Sequence, residues 1–380
     1  MRRNTFTKLR EEAFQYSDEL GPYKVLYVHD PKTKLKGIVV VDNTSRGPAI
    51  GGVRMAPDLS TEEIFRLARA MTFKNAAADI RHGGGKSGII ADPKTKGKYD
   101  LIRSFAKAIA PIDEYIPGPD MGTDEHCMAI VYDEIGRCCG LPRELGGIPL
   151  DEVGSTGYGV TISTEAASEY VPLALSEATV AIEGFGAVGK AAAKFLTERG
   201  AKIVGVSDSK GAVYDPEGLD YEELIKAKET TGAVKNYAGG RIMECVALFG
   251  LKVDILIPGA RPDVISKKNV HDVKAKLVVE AANIPATTEA ERILHDRGVL
   301  VIPDFIANAG GVITGAVECA GGTEEDAFKM IRNKVAENTK IVLDMVKDKK
   351  MLPRVAAKKI ARERVLKSMI YRGQLEEAPC

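Results

Sequence analysis

Apolar positions in the first quarter of the chain follow two different periods. Runs 23–28 and 36–42 are rich in β-forming residues and flank a turn-forming segment, so they predict a β-hairpin. Residues 60–78 repeat apolar side chains at the helical period after a Ser/Thr…Glu capping box, which predicts a helix. The glycine-rich segment 47–52 predicts a turn, and Gly83–Gly85 are expected to break the helical pattern before a strand in SGIIAD.

The second half of the chain predicts alternating helices and buried strands. A strand in ATVAIEGFG, a helix over 187–199 and a strand in AKIVGVSD form one βαβ unit. The later apolar runs VDILIP, KLVVEAAN and GVLVIPD are typical of parallel strands buried on both faces. The other predicted helices are 97–114, 123–139, 158–170, 323–348 and 353–371.

The Gly- and Pro-rich stretch 139–159 predicts a domain boundary near residue 150. The expected fold class is α/β with two domains, which suits a chain of 380 residues. An α/β domain over 1–150 precedes a doubly wound, Rossmann-like domain over 151–345, and further helices occupy 346–380.

Composition excludes several classes of partner. The 53 Lys and Arg balance the 53 Asp and Glu, so nothing points to nucleic acid or an anionic membrane. No apolar run reaches the roughly 20 residues that span a bilayer, and the first residues predict an amphipathic helix rather than a signal peptide. Six cysteines without a C-x-x-C pair fit a reducing cytoplasm, and the five scattered histidines predict no metal site.

The sequence G-x-G-x-x-G at 184–189 lies between a predicted strand and a predicted helix, the context of a dinucleotide-binding loop. Asp208 closes the next strand, where an acid hydrogen-bonds the ribose 2′-hydroxyl of NAD; Ser209 and Lys210 follow and could hold the 2′-phosphate of NADP. Asp208 tips the expectation toward NAD, and NADP stays open. The cofactor-binding residues predicted here are Gly184, Phe185, Gly186, Ala187, Val188, Gly189, Asp208 and Ser209.

Two lysines and one aspartate are the candidate chemical groups. Lys86 follows three glycines, which allow close backbone approach, and a desolvated lysine acquires a pKa useful for acid–base catalysis. Lys74 lies on an otherwise apolar helix, where a lysine extending to solvent is the alternative. Asp120 lies in the turn-forming loop YIPGPDMGT, where it could simply cap the turn.

The chain as a whole resembles the glutamate/leucine/phenylalanine/valine dehydrogenase family. The resemblance runs from the hairpin at 23 to residue 311, and the first domain is most similar to the leucine and phenylalanine branch. Its motifs are GPAIGGVRM (47–55), MTFKNAAA (71–78), GGGKSGI (83–89), PDMGT (119–123), STGYG (155–159), GFGAVG (184–189), EAAN (280–283) and ANAGG (307–311).

The resemblance implies an NAD(P)-dependent enzyme that reversibly deaminates an L-2-amino acid to a 2-oxo acid and ammonia. In that family's pattern Lys74 binds the substrate α-carboxylate, with the backbone of Gly52 nearby. Lys86 is the catalytic lysine that polarises a water, and Asp120 moves protons to and from the amino nitrogen.

The resemblance also implies partners of the cofactor. Thr156, Asn283 and Asn308 contact its nicotinamide end or the substrate. The first domain carries the substrate, the chemistry and the oligomer contacts; the last helices return to it, and the protein is expected to be a homo-oligomer, a hexamer or octamer.

Side-chain specificity is where the sequence departs from the glutamate pattern. Glutamate-specific members have a lysine where this chain has Ile50, and a serine where it has Gly315. An apolar substrate such as leucine, valine or phenylalanine is therefore expected, because an unpaired buried carboxylate is costly. The alternatives are a glutamate dehydrogenase with a relocated cation, such as Arg54 or Arg261, and a non-catalytic dinucleotide sensor.

Overall fold

The computed structural model describes residues 14–376, which form two compact units. The first unit takes in the chain up to Pro149, Gly315–Gly322 and the chain from Ala361 onward; the second contains Leu150–Thr314 and Thr323–Ile360. The division differs in detail from 1–150, 151–345 and 346–380, because a short segment after residue 314 groups with the first unit and the second unit extends to Ile360. The predicted N-terminal helix lies outside the described residues.

The first unit is built on a five-stranded sheet of order β1-β2-β4-β3-β5. The predicted hairpin is confirmed, since β1 and β2 pair in antiparallel register; β3 runs parallel to both β4 and β5. The strands are β1 (Lys24–Asp30), β2 (Leu35–Asn43), β3 (Ala49–Ala56), β4 (Gly83–Ile90) and β5 (Tyr115–Pro119).

One glycine-rich segment was wrongly predicted as a turn, and a second lies in regular structure although the helix ends before it, as predicted. Segment 47–52 enters β3 at Ala49, and Gly83–Gly85 are the first residues of β4. Glycine is used here for close packing: a Cβ on Gly51 would lie 1.7 Å from the carbonyl oxygen of Gly85. Propensity favours turns for glycine, but a side chain at such a position would push the strands apart.

Between residues 14 and 149 the first unit has three long helices. Helix α1 (Thr61–Ala77) connects β3 to β4, α2 (Lys98–Ile109) connects β4 to β5, and α3 (Glu125–Ile135) follows β5. Ser60 caps α1 by accepting from the Glu63 amide at 3.1 Å, which is one half of the predicted capping box; the Glu63 carboxylate pairs with Arg54. Helices α2 and α3 are shorter than predicted. Gly136 ends α3 in the left-handed conformation with φ of 66°, which glycine adopts without steric cost.

The second unit contains a seven-stranded sheet of order β12-β11-β10-β6-β7-β8-β9. Strands β12 to β7 are parallel, as predicted for a Rossmann-like domain, and the short strands β8 and β9 add an antiparallel edge that the sequence pattern did not reveal. The strands are β6 (Thr179–Glu183), β7 (Lys202–Asp208), β8 (Gly211–Tyr214), β9 (Arg241–Met243), β10 (Ile255–Pro258), β11 (Leu277–Val279) and β12 (Leu300–Ile302).

The helices after residue 149 include both of the predicted C-terminal helices. The remaining α-helices in the described chain are α4 (Leu150–Val153), α5 (Ser155–Ser168), α6 (Ala187–Thr197), α7 (Tyr221–Thr231), α8 (Thr288–Asp296), α9 (Asp304–Ala307), α10 (Gly310–Cys319), α11 (Glu324–Lys349) and α12 (Pro353–Tyr371). Within residues 14–376, no helix combines the length and hydrophobicity needed to cross a membrane.

A buried ion cluster ties α12 to the sheet of the second unit. The guanidinium of Arg354 bonds Glu280 at 2.5 Å, Glu291 at 2.5 Å and Asp304 at 2.7 Å, and its side chain is 12% exposed. Arg354→Ala should lower the free energy of unfolding by about 3–5 kcal/mol, because it leaves buried carboxylates without their cation. Urea denaturation followed by circular dichroism measures this loss.

Arg362→Ala is the matched control on the same helix. Arg362 pairs with Glu19 at half-exposed positions, so its removal should cost less than about 1 kcal/mol. Equal losses for the two variants would contradict the role given to the buried cluster.

Candidate active site

Lys86 and Asp120 form a largely buried ion pair in the first unit. The Lys86 Nζ lies 2.9 Å from Asp120 Oδ1, and the two side chains are 6% and 20% exposed. Lys86 projects from β4, and Asp120 directly follows β5. The structure thus brings together the two residues that the sequence singled out for acid–base chemistry.

Backbone packing leaves space for this pair. A Cβ on Gly52 would lie 2.7 Å from the Cβ of Asp120, so a larger residue in β3 would displace the aspartate. The loop after β5 is held by Thr123, whose hydroxyl accepts from the Asp120 amide at 3.0 Å and donates to the Val53 carbonyl at 2.8 Å. Gly52 therefore acts in this structure by making room for Asp120.

Arg54 completes the cluster, and the sequence did not reveal this role. Its Nε donates to Asp120 Oδ2 at 2.7 Å, and its Nη1 donates to Glu63 Oε1 at 2.7 Å. Glu63 therefore pairs with Arg54, in addition to supplying the capped amide of α1. The parallel register of β3 and β5 would have indicated the contact, but β5 was not predicted. Because Arg54 already binds two acids, it is a poor candidate for a cation that binds a distal substrate carboxylate.

The charges of the cluster shift its pKa values in directions that suit proton transfer. Burial lowers the pKa of Lys86 below the usual 10.5, and the opposing attraction of Asp120 does not cancel that effect. Burial raises the pKa of Asp120, but Lys86 and Arg54 more than offset it, so the pKa is lowered overall. Asp120 is therefore an anion next to a lysine that loses its proton more readily than usual.

Lys74 lies in the last turn of α1 and is half-buried. Its neighbour Asn75 is fully buried and donates to the Gly83 carbonyl at 2.6 Å, which fastens this end of α1 to the start of β4. A Cβ on Gly84 would come within 2.0 Å of the Thr72 amide nitrogen. The helix of Lys74 and the strand of Lys86 are thereby held in close contact.

The two proposed specificity positions are both buried in the first unit. Ile50 is 4% exposed on β3. A Cβ on Gly315 would lie 3.5 Å from Cys139 Sγ, an ordinary van der Waals contact. The space expected at Gly315 is therefore bounded by a thiol, and a small residue such as serine would fit there.

The glycine loop of the second unit has the geometry of a pyrophosphate site. Gly184 has φ of 94°, and a Cβ there would meet the Ala260 amide nitrogen at 2.9 Å. A Cβ on Gly189 would lie 1.9 Å from the Gly184 carbonyl oxygen, so the glycine permits α6 to approach β6. Gly186 caps α6 without a side-chain hydrogen bond, and the space around its Cα is open. The free amides of this helix start suit an anionic diphosphate.

Asp208 lies at the carboxyl end of β7, as predicted, and protein groups bond both of its carboxylate oxygens; the ribose contact stays a prediction. The side chain is 5% exposed, and Lys228 Nζ lies 2.6 Å from its Oδ2. The Val234 amide donates to the same oxygen at 2.9 Å, and the Lys210 amide donates to Oδ1 at 2.8 Å. Protein groups thus already engage both oxygens; Ser209, next in the chain, is exposed.

Thr156, Asn283 and Asn308, the three polar residues predicted at the nicotinamide end, all lie in the second unit. Asn308 Nδ2 donates to Asn283 Oδ1 at 3.1 Å, while its Oδ1 is buried without a hydrogen-bond partner. Thr156 lies beside the start of α10, where a Cβ on Gly311 would be 3.0 Å from its hydroxyl oxygen. The unpaired acceptor of Asn308 fits a carboxamide donor, so the residues present suit a nicotinamide dinucleotide. No group of metal-ligating side chains occurs among residues 14–376.

Family comparison covers nearly all of the described chain. Residues 14–137 match the Glu/Leu/Phe/Val dehydrogenase dimerisation domain, and residues 146–373 match the Glutamate/Leucine/Phenylalanine/Valine dehydrogenase domain. These matches confirm the resemblance at the family level; they do not single out the leucine and phenylalanine branch.

Three of the curated relatives of this chain are named as glutamate dehydrogenases. The chain is 44% identical over 356 residues to a glutamate dehydrogenase of Aeropyrum pernix, covering 87% of this chain and 85% of that protein. It is 40% identical over 357 residues to an NADP-specific glutamate dehydrogenase of Saccharolobus shibatae, covering 88% and 84%. It is 37% identical over 352 residues to an NAD-specific glutamate dehydrogenase of Staphylococcus aureus, covering 87% and 84%.

Solved structures show the same fold. A hetero-hexameric glutamate dehydrogenase from Thermus thermophilus, in a leucine-bound form, aligns with TM-score 0.81 and 28% identity over 99% of this chain and 97% of that one. An L-tryptophan dehydrogenase from Nostoc punctiforme aligns with TM-score 0.75 and 27% identity over 94% and 98%. The chain therefore belongs to the glutamate/leucine/phenylalanine/valine dehydrogenase family, and it is an amino acid dehydrogenase that uses NAD or NADP.

Proposed function

We propose that Lys86 and Asp120 carry the acid–base steps of reversible oxidative deamination of an L-2-amino acid to a 2-oxo acid and ammonia. The observation that carries the proposal is the buried pair itself, with Lys86 Nζ 2.9 Å from Asp120 Oδ1 and a lowered pKa at Lys86. Catalytic groups need pKa values near the working pH, and burial of a lysine brings its pKa toward that range.

The residues divide the work by their charge. Lys74 binds the α-carboxylate of the substrate as a cation, and Lys86 removes a proton from the attacking water. Asp120 exchanges a proton with the amino nitrogen, and Arg54 holds the carboxylate in place through its 2.7 Å hydrogen bond. The nicotinamide dinucleotide, when bound, supplies the hydride acceptor for the substrate Cα, while the protein orients the reactants.

We propose L-glutamate as the substrate. The support is the identity of 37–44% to curated glutamate dehydrogenases of both cofactor specificities. A glutamate side chain ends in a second carboxylate, so this proposal requires a cation other than Lys86, Lys74 or Arg54 at its distal end.

An apolar amino acid is the second candidate, and one specific observation favours it. Ile50 is buried at the position where the glutamate pattern has lysine, and Gly315 replaces the serine. A buried carboxylate without its partner costs about 3–5 kcal/mol, which corresponds to two to three and a half decades in kcat/KM. The sequence-based preference for leucine, valine or phenylalanine rests on this argument alone, and the relatives favour glutamate.

A substrate panel with the variant Ile50→Lys decides between the two. We expect kcat/KM for glutamate to exceed that for leucine, valine, norvaline and phenylalanine at least about tenfold, as one correctly placed ion pair provides. The reaction is followed by the absorbance of the reduced nicotinamide, with NAD and with NADP.

Ile50→Lys then reports where the distal carboxylate binds. If glutamate already has its cation elsewhere, the variant changes glutamate turnover little. If Ile50→Lys raises glutamate activity and depresses leucine activity, while the size control Ile50→Met changes neither, the apolar assignment is correct. Dinucleotide binding without turnover of any amino acid would instead support the sensor alternative.

We also propose that the protein is a homo-oligomer. The match of residues 14–137 to a dimerisation domain supports an oligomer, and so does the hetero-hexameric assembly of the Thermus thermophilus glutamate dehydrogenase; identical subunits are our proposal for this chain. A hexamer or an octamer remains the prediction, and a cytoplasmic location remains one as well. Sedimentation velocity measures the oligomeric state directly.

A further inference from the structure

The carboxyl end of β7 carries an acid that is already neutralised. In a doubly wound sheet the carboxyl ends of adjacent parallel strands lie at one edge, so Asp208 on β7 shares that edge with the glycine loop after β6. An acid at this position selects NAD by accepting from the ribose 2′-hydroxyl and repelling a 2′-phosphate. Both actions require a carboxylate that is exposed and not neutralised by a neighbouring cation.

Asp208 does not meet that requirement. Its side chain is 5% exposed, and both of its oxygens accept hydrogen bonds from protein groups, including Lys228 Nζ at 2.6 Å. Burial raises the pKa of Asp208, but Lys228 and the backbone amides more than offset this, so the carboxylate is ionised and paired. The pair has no net charge, and the repulsion of a 2′-phosphate is largely removed.

Lys228 has donor capacity left for a ligand. Its side chain is 23% exposed, and its ammonium donates to Asp208 Oδ2 and, at 3.4 Å, to the Gly232 carbonyl. An ammonium has three N–H donors, so one remains. Helix α7, which carries Lys228, ends at Thr231. The left-handed Gly232 follows it, and two residues later the Val234 amide donates to Asp208 at the end of β7.

Two further lysines, Lys210 and Lys235, lie near the segments that follow β7 and α7. Lys210 Nζ lies 2.9 Å from the position of a Cβ on Gly232, and Lys210 itself is exposed. The stem of Lys235 packs against Gly211, where a Cβ would lie 2.9 Å from its Cδ. Ser209, next to Lys210, is also exposed, so the segment after β7 offers lysine ammonium groups and a hydroxyl to a ligand. This is the chemistry that binds a phosphate monoester.

We infer that Lys228 is a specificity-determining residue that lets the ribose site accept the 2′-phosphate, so that the chain binds NADP(H) at least as tightly as NAD(H). The inference rests on the proposed dinucleotide-dependent function and reverses the preference for NAD that Asp208 suggested from sequence. Lys228 acts in two ways: it neutralises Asp208, and it donates to the phosphate.

The test compares NADPH and NADH binding by isothermal titration calorimetry, which needs no turnover. In the unaltered protein we expect the dissociation constant for NADPH to be equal to or below that for NADH. Lys228→Gln should weaken NADPH binding about tenfold or more and leave NADH within about threefold, since one charge-assisted hydrogen bond to phosphate is lost. Lys226→Gln is the control, because Lys226 lies on the same helix, is exposed and pairs with exposed Glu223.

A second variant covers the case in which Lys228→Gln fails to fold. Asp208→Asn removes the carboxylate and frees Lys228, so NADPH binding should tighten severalfold while NADH changes little. NADPH affinity unchanged in both variants would overturn the inference, and so would an unaltered protein that binds NADH tenfold or more tightly than NADPH. Failure of the unaltered protein to bind either dinucleotide would instead overturn the proposed function.

Discussion

Lys86→Ala is expected to lower kcat at least about 100-fold, the usual scale for one general acid–base group. The substitution removes the amine that accepts the water proton and leaves Asp120 paired only with Arg54. Binding of NADH should stay within about twofold, because Lys86 lies outside the dinucleotide loop. Steady-state kinetics with the preferred amino acid and calorimetric titration of NADH measure the two quantities.

The pH profile separates a chemical role for Lys86 from a structural one. Because burial lowers its pKa, kcat/KM for deamination should rise with pH through a midpoint below 10.5, as the amine loses its proton. That limb should be absent in Lys86→Ala. Lys36→Ala, at an exposed position of the neighbouring strand β2, is the control. It should keep the kcat of the unaltered enzyme and the rise of kcat/KM with pH. Turnover near that of the unaltered enzyme in Lys86→Ala would show that another group is the base.

Asp120→Asn should have a comparable effect, with kcat reduced at least about 100-fold. Asparagine fills nearly the same space but cannot take a proton from the amino nitrogen or neutralise Lys86 and Arg54. The carboxylate of Asp120 raises the pKa of Lys86 against the effect of burial. Its loss should therefore move the remaining basic limb of kcat/KM to lower pH.

Asp124→Asn is the matched control for this loop. Asp124 is the N-cap of α3, with its side chain 54% exposed, and it accepts from the Cys127 amide. Its substitution should cost at most about 1 kcal/mol of stability and leave kcat unchanged. If Asp120→Asn instead kept its activity and lost only thermal stability, Asp120 would be a loop cap, the alternative that the sequence left open.

Where apolar residues follow a single helical or strand period, the sequence was sufficient to predict the helices and strands. The hairpin, the parallel strands of the second unit and the two C-terminal helices appear within a few residues of their predicted bounds. Lys86, Asp120 and the glycine loop could be named in advance because they lie in the short motifs GGGKSGI, PDMGT and GFGAVG, through which the chain resembles its family. The antiparallel edge strands β8 and β9 were missed because each is only three or four residues long.

Glycine was the main source of error, and its effect is tertiary. Gly51, Gly52 and Gly84 favour turns by local propensity, yet each lies in a strand where a neighbouring backbone or side chain approaches too closely for a Cβ. A single sequence cannot distinguish a glycine required by a positive φ from a glycine required by close packing. The neighbouring atoms that exclude a Cβ come from distant parts of the chain.

What the sequence determined by itself was the chemical content: a dinucleotide loop, two lysines, an aspartate and their order along the chain. Only the tertiary structure decided which cations pair with which carboxylates. Arg54 and Lys86 converge on Asp120 from two strands, and Lys228 reaches Asp208 from the helix α7. The physical reason is that the charge and pKa of a carboxylate depend on cations within a few ångströms, and those neighbours are separated by 20 to 66 residues along the chain.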